Sequence, residues 1–259
     1  MSVPALEVLG LRKGYVKDGR RNDVLDLERV SVAPGEFVTI VGPSGCGKST
    51  LLHILGGFIT ADAGEIRVHG RAVTGPGPDR GMVFQEFALF PWRTVAGNVG
   101  WALEVQGHSA HERARVVERY LQLTDLTEFR DHLPGELSGG MKQRVALARV
   151  LAFDPQVLLM DEPFGSLDAQ TRETMQEELM RIWERTGKTV VFVTHDIEEA
   201  VYLGNRVLVL GTRPARIRQE VTIDLPRPRD LAVRKSVACL QYRNAIGDLI
   251  RGETSHPRA

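Results

Sequence analysis

The chain has 259 residues, 42% of them hydrophobic, with 33 Lys+Arg against 33 Asp+Glu and a formal net charge of +0. That length bounds one large lobed α/β domain or two small ones with a sizeable core, and the lack of a basic excess weighs against a chain that grips nucleic-acid backbone. Two cysteines, Cys46 and Cys239, argue against a disulfide framework and fit a reducing compartment; the N-terminus carries no secretory pattern, and no run approaches the ~20 apolar residues of a membrane span.

Short β-like runs alternate with helical patterns, which predicts a layered α/β fold. In chain order, Leu6–Leu11, Glu28–Val32 and Glu36–Val41 read as strands, with Pro34-Gly35 separating the last two. Gly64–Val68 and Gly81–Phe84 read as further short strands around a turn-rich stretch, Thr74–Asp79. From about Thr94 to Gly140 the pattern turns helical. Ser109 followed by Glu112 is a capping-box signature, ahead of Val116, Val117, Tyr120 and Leu121 at helical spacing. This stretch reads as a helical lobe inserted into the α/β core. The sheet pattern resumes with Val157–Met160, Thr189–Thr194 and Arg206–Leu210, and Asp168 and Asp196 are placed to cap the helices that follow. The Pro/Arg stretch Leu225–Arg229 ends it. Beyond, Val233, Val237, Leu240 and Ile246 predict a packing helix, and Gly252–Ala259 a loose tail.

Gly42-Pro43-Ser44-Gly45-Cys46-Gly47-Lys48-Ser49 matches the Walker A pattern at every defined position. It lies between the strand Phe37–Val41 and the helical run Thr50–Leu55, the context a phosphate cradle requires. Glycines let consecutive N–H groups turn around a phosphate without Cβ clashes. The helix N-terminus adds partial positive charge, Lys48 reaches the β/γ-phosphates, and the Ser49 hydroxyl ligates Mg²⁺. Thr50 completes the nucleotide-binding stretch. Cys46 sits inside this loop. Lys48 and the helix end favour its thiolate, but the simpler reading is a small residue the loop tolerates.

Val157–Met160 is an apolar strand that runs into Asp161, with Glu162 next. A carboxylate at a strand's carboxyl end reaches the Mg²⁺ shell beside such a cradle. The adjacent Glu162 is then placed to orient or deprotonate the attacking water.

Leu137-Ser138-Gly139-Gly140-Met141-Lys142-Gln143-Arg144 places a Ser and two glycines at a helix start, a second anion site. With this stretch the sequence resembles the ATP-binding cassette (ABC) ATPases, from about Leu6 to Ile223. The resemblance implies a P-loop NTPase core (RecA-like) with an antiparallel β subdomain and an inserted α-helical subdomain. It divides the chain into a nucleotide-binding domain over 1–229, its helical lobe at about 94–140, and a C-terminal helix and tail over 230–259. ATP would be held between the cradle of one chain and Ser138, Gly139 and Gly140 of a second, making a homodimer. By the same resemblance Tyr15 looks like the aromatic that stacks on adenine. Gln85 looks like the glutamine that contacts Mg²⁺ or water and relays to a membrane partner. Ser166-Leu167-Asp168 looks like the loop crossing the dimer interface, and His195 like the histidine that contacts the γ-phosphate. Lys48, Gln85, Glu162 and His195 are then the catalytic set, and Ser49, Gln85 and Asp161 the metal set.

Local detail narrows the branch. Phe84–Val95, Asp161–Arg172 and Gly211–Ile217 are similar to the same stretches of nitrate/sulfonate/taurine importers, with Ser166 where that branch commonly has Ala. That implies integral-membrane permease subunits, an external solute-binding protein, and a peripheral place on the cytoplasmic face of the cell (inner) membrane. Phe87, Leu89, Phe90 and Trp92 form an apolar cluster beside Gln85, read here as sharing two roles, receiving a permease helix and filling the space between lobes. After Arg227 too little chain remains for a C-terminal regulatory domain. The alternative is a soluble ABC ATPase acting on DNA or ribosomes; a single cassette without heptad insertion or net charge argues against it.

Overall fold

The computed structural model describes residues 3–254. In chain order it forms β1 (Leu6–Lys17), β2 (Arg20–Val32), β3 (Phe37–Val41), α1 (Lys48–Leu55), β4 (Ala63–Val68), β5 (Arg71–Ala72) and β6 (Arg80–Val83). Helices α2 (Val95–Val105), α3 (Ala110–Leu123) and α4 (Gly139–Ala152) follow, then β7 (Val157–Asp161), α5 (Ala169–Thr186), β8 (Thr189–Val193) and α6 (Ile197–Leu203). The chain closes with β9 (Arg206–Leu210), β10 (Ile217–Thr222), α7 (Leu231–Arg234) and α8 (Val237–Thr254). It divides into two compact units, one being Pro78–Gly187 and the other the chain on either side of it.

The first unit holds an antiparallel sheet in the order β2-β1-β4-β5 and a second arrangement in the order β10-β9-β3-β8. There β3 runs parallel to both β8 and β9, and β10 lies antiparallel on β9. Every residue of β3 and β8 is buried, which is why both read as near-continuous apolar runs rather than alternating ones. Thr39, the polar member of β3, donates its hydroxyl to the Ala200 carbonyl at 3.1 Å, so the buried hydroxyl keeps a partner. Val41, Val201, Val207, Val209, Cys239 and Ile246 pack together beneath α6 and α8.

Strands β1 and β2 extend well past the segments read from sequence. They meet where Lys17 pairs with Arg20, and Asp18 and Gly19 turn with φ of 52° and 73°. Two left-handed residues in a two-residue loop are what a type I′ hairpin demands. In α8 the inward face carries Cys239 and Ile246, with Tyr242, Leu249 and Ile250 against the core. Val237 and Leu240, expected to pack, are 71% and 39% exposed, because they fall on the opposite helical phase. Gly252–Thr254 continue the helix instead of opening a tail; the rest of the expected tail lies outside the described residues.

In the second unit β6 pairs in parallel with β7, from Arg80 opposite Val157 to Val83 opposite Met160. Helices α2, α3, α4 and α5 complete it, and side chains start each one. Thr94, Ser109, Ser138 and Asp168 all accept a first-turn N–H, and Ser109 with Glu112 forms the capping box expected. Helix α4 comes so close to β6 that a Cβ on Gly81 would lie 2.3 Å from Val150 Cγ1.

Candidate functional site: a phosphate cradle and a signature helix

In the first unit the loop from β3 to α1 is shaped by backbone that only glycine adopts freely. Gly47 has φ 120° and ψ 13° and precedes α1 with no side-chain cap. A Cβ there would sit 2.8 Å from Val24 Cγ1 and 3.0 Å from Leu25 Cδ2, so both the angle and the space exclude a side chain. Lys48 is buried, at 7% exposure. Its Nζ donates to the carbonyls of Gly42 at 2.9 Å and Pro43 at 3.1 Å. The ammonium is thereby folded back across its own loop, with its charge compensated by carbonyl dipoles. Ser44, Gly45 and Ser49 are exposed, and Thr50 is half-buried.

Cys46 is buried. Burial pushes its thiol up, and the opposing pull of Lys48 is weaker. Burial thus disfavours the reactive thiolate, which fits a packing role.

Sequence reasoning missed Arg213. Its Nε donates to the Gly45 carbonyl at 2.7 Å, tying the loop after β9 to the cradle. The available signal was indirect: Val209 of β9 pairs beside Val41 of β3, so the loops that leave both strands are neighbours. The carboxyl end of β8 lies beside that of β3, with Thr194 N donating to Ile40 O at 3.1 Å, and the exposed His195 comes next. Tyr15, on β1, is 43% exposed, with Lys13 Nζ 5.2 Å from the ring centroid.

The second unit carries the other expected residues. Asp161 ends β7 at 8% exposure. Glu162 follows with φ 43°, a left-handed backbone that costs a non-glycine residue about 1–3 kcal/mol. Its carbonyl accepts from Gly165 N at 3.0 Å. A Cβ on Gly165 would be 3.5 Å from Gln85 Nε2 and 3.9 Å from Glu162 Cβ, so Gln85 and Glu162 share this turn.

At the start of α4, the exposed Ser138 accepts from Met141 N at 3.3 Å, a cap that contributes about 1 kcal/mol. A Cβ on Gly140 would be 2.8 Å from Thr171 Cγ2, and one on Gly139 would be 3.2 Å from Leu167 Cδ2. The glycines thus let α4 press against the start of α5. An open cleft of about 310 Å³ lies there, lined by Ser138, Gly140, Met141, Arg144 and Thr171 among others. Arg144 also reaches Glu178 of α5 at 2.8 Å. Burial nonetheless outweighs Arg144 and Arg181 and pushes the Glu178 carboxyl up to about 7.

The expected aromatic cluster is present in part, as rings packed at tilted angles. Phe90 lies 5.7 Å from Trp92 and 4.9 Å from Trp101, the Arg149 guanidinium is 5.5 Å from the Phe90 ring, and Trp92 is 74% exposed. Arg149 also donates to the carbonyls of Ala88 at 2.7 Å and Phe87 at 3.3 Å, which fixes the loop that presents the rings.

The donor set expected for Mg²⁺ is a hydroxyl, an amide oxygen and one carboxylate (Ser49, Gln85 and Asp161). Such a set suits Mg²⁺, a hard ion bound through one or two carboxylates plus phosphate oxygens.

A phosphate cradle in strand–loop–helix context, with a Ser-Gly-Gly helix start on the same chain, defines an ATP-binding cassette. The ABC transporter family matches residues 26–165, and the chain belongs to that family as one of its ATPases. It is 47% identical to the nitrate import ATP-binding protein NrtD of Synechocystis sp., over 98% of this chain and 98% of that one. It is 48% identical to the taurine import ATP-binding protein TauB of Pseudomonas syringae pv. tomato, over 86% of this chain and 84% of that one. Among solved structures it is similar to the dimeric post-hydrolysis state of the ATP-binding cassette MJ0796 bound to ADP and Pi. There the identity is 33%, the TM-score 0.72, and the coverage 84% of this chain and 98% of that one.

Proposed function

We propose that this chain hydrolyses ATP to drive a membrane importer for a small oxyanion or sulfonate, such as nitrate or taurine. Residues 1–229 act as the nucleotide-binding domain, with the helical lobe over 94–140 inserted and the helix and tail of 230–259 appended. Two copies close around two ATP molecules, each site using one copy's Gly42–Thr50 cradle and the other's Ser138, Gly139 and Gly140. Lys48 holds the β/γ-phosphates, Tyr15 the base, and His195 the γ-phosphate. Glu162 takes the proton of the attacking water, which Gln85 helps to orient. Mg²⁺ would be held by Ser49, Gln85 and Asp161 and, when bound, would neutralise charge on the phosphate oxygens.

The observation that carries the hydrolytic reading is the placement of Glu162 directly after the buried Asp161 that ends β7, in the turn it shares with Gln85. The names of the two import proteins, matched over most of their length, support the transport reading.

Among the described residues no helix is long and apolar enough to cross a membrane. The importer we propose has separate permease subunits, with a solute-binding protein delivering to them from outside. The exposed Trp92, in its cluster with Phe90 and Trp101, is the surface we assign to a permease helix, at the cytoplasmic face of the inner membrane. The test is a mild-detergent pull-down of the tagged chain with mass spectrometry. A co-purifying multi-span permease supports the reading. Ribosomes or DNA-repair proteins with no membrane partner would leave the ATPase standing and overturn the transport function.

A further inference from the structure

The ring of Tyr15 is braced from behind by a small polar network. Asp62, just before β4, accepts from Lys13 Nζ at 3.0 Å through Oδ1. Its Oδ2 accepts from Gly14 N and from Arg21 Nη2, each at 2.9 Å. Lys13 Nζ also donates to the Thr60 carbonyl at 2.9 Å. These contacts fall where the β1–β2 register breaks, between Lys13 and Gly14, and where the Asp62 N–H binds the Arg12 carbonyl at 2.9 Å. A Cβ on Gly14 would meet only the ends of exposed side chains, at 2.7 Å from Asp23 Oδ1 and 3.2 Å from Arg21 Nε. The Gly14 N–H, then Lys13, hold the Asp62 carboxyl below the usual carboxylate range.

The consequence for the aromatic ring is directional. Lys13 Nζ lies over one face of Tyr15, 5.2 Å from the centroid, and the side chain is 43% exposed. A planar base then has only the opposite face to stack on. A cation on the back face also draws electron density from the ring, which favours stacking against an electron-rich purine.

We propose that Asp62 is a positioning residue for nucleobase binding: by holding Lys13 and Gly14 it seats the Lys13 ammonium behind Tyr15 and fixes the face and tilt of the ring offered to the purine. This rests on the reading of Tyr15 as the base platform.

The test compares binding of ATP with binding of inorganic tripolyphosphate, which fills the cradle without a base, in the full-length chain. Tyr15→Ala is expected to weaken ATP on the order of tenfold or more and to leave tripolyphosphate unchanged. Asp62→Ala and Lys13→Met are each expected to weaken ATP by about 2- to 5-fold, the range of an exposed cation–π contact, again with tripolyphosphate unchanged. Lys13→Arg, which keeps a cation over the ring, should stay near wild type. Retained tripolyphosphate binding doubles as the check that a variant has folded. If Tyr15→Ala weakens ATP while Lys13→Met and a folded Asp62→Ala do not, the positioning role is wrong and the platform stands. If Tyr15→Ala has no effect, the platform itself falls. If Lys13→Met weakens both ligands equally, Lys13 serves the phosphates and the proposal is overturned.

Discussion

Helices α1 and α4 both begin at glycine-rich loops, yet their first turns are finished differently. Helix α1 opens on Gly47 with no side-chain cap, inside a loop pinned by Lys48 and Arg213 on its own carbonyls. Helix α4 opens on Ser138, whose hydroxyl already accepts from Met141 N, at the lip of an open cleft. The first is a preorganised pocket whose first-turn N–H groups suit a phosphate. The second is a stable exposed surface that offers one hydroxyl and little enclosure. A full anion site and a half-site on one chain make sense if the half-site completes the pocket of another copy, which is the arrangement proposed here.

The largest effect expected is at the turn after β7. Glu162→Gln should lower ATP turnover on the order of 100- to 10,000-fold, the range for loss of a general base. Nucleotide affinity should be kept, and the chain should elute as a dimer in ATP. Turnover unchanged in this variant would remove Glu162 from the base role. Next comes the cradle itself. Lys48→Ala removes a charge-assisted contact and should weaken ATP binding by about 10- to 150-fold; a wild-type Kd would contradict the cradle assignment. The comparison of the two helix starts sharpens when this variant is mixed with Ser138→Arg. Each alone should be nearly inactive. Mixed, a heterodimer regains one site with an intact cradle and an intact signature, so partial ATPase activity should return. Failure of complementation would mean the two half-sites do not meet between copies.

A third effect tests what holds the half-site in place. Glu178 of α5 faces Arg144 of the signature helix and Arg181 of its own helix, with Asp125 bound to Arg181. Its folded pKa, pushed up to about 7 by burial, stands above the ~4.3 of a free Glu. The stability tied to its protonated form is fully present below about 4.3 and is lost as pH rises through about 7. Glu178→Gln lacks that loss. Its melting temperature relative to wild type should therefore climb by several degrees between pH 5 and pH 8, for a linkage of roughly 3 kcal/mol at most. A fall over the same window would show instead that the Arg144 pair wins over burial.

What the sequence disclosed follows from how each feature is encoded. The cradle, the Asp161-Glu162 pair and the Ser138 start are contiguous, so spacing alone exposes them. The caps Ser109, Asp168 and Asp196 were legible for the same reason: a cap and its target lie two or three residues apart. The outer halves of β1 and β2 were not, because Arg20–Asp23 are charged or polar and exposed, leaving no apolar alternation to read. Strand β10 hid likewise, since every residue of it is exposed or half-buried. The helix in α8 was legible, but its inward face was not. Its phase is set by packing on Val41, Val207 and Val209, residues far away in the chain. Arg213 and Asp62 act across strands onto loops, a relation that exists only once the sheet register is known.

A smaller effect comes from one of these cross-strand contacts, at Arg213. Arg213 meets Gly45 through a single hydrogen bond, Nε to the carbonyl oxygen at 2.7 Å, and Gly45 itself has φ 71°. The Gly45 carbonyl is held by this donor, and the next N–H, that of Cys46, donates to the Pro43 carbonyl at 3.2 Å. Removing the donor lets the peptide relax but leaves Lys48 and the helix end in place. Arg213→Ala should therefore raise the KM for ATP by about 2- to 10-fold, the worth of one hydrogen bond, and leave kcat close to wild type. Lysine in its place lacks the planar donor geometry and should rescue only in part. A loss in kcat with unchanged KM would instead place Arg213 in the hydrolytic step, with Lys48, Glu162, Gln85 and His195.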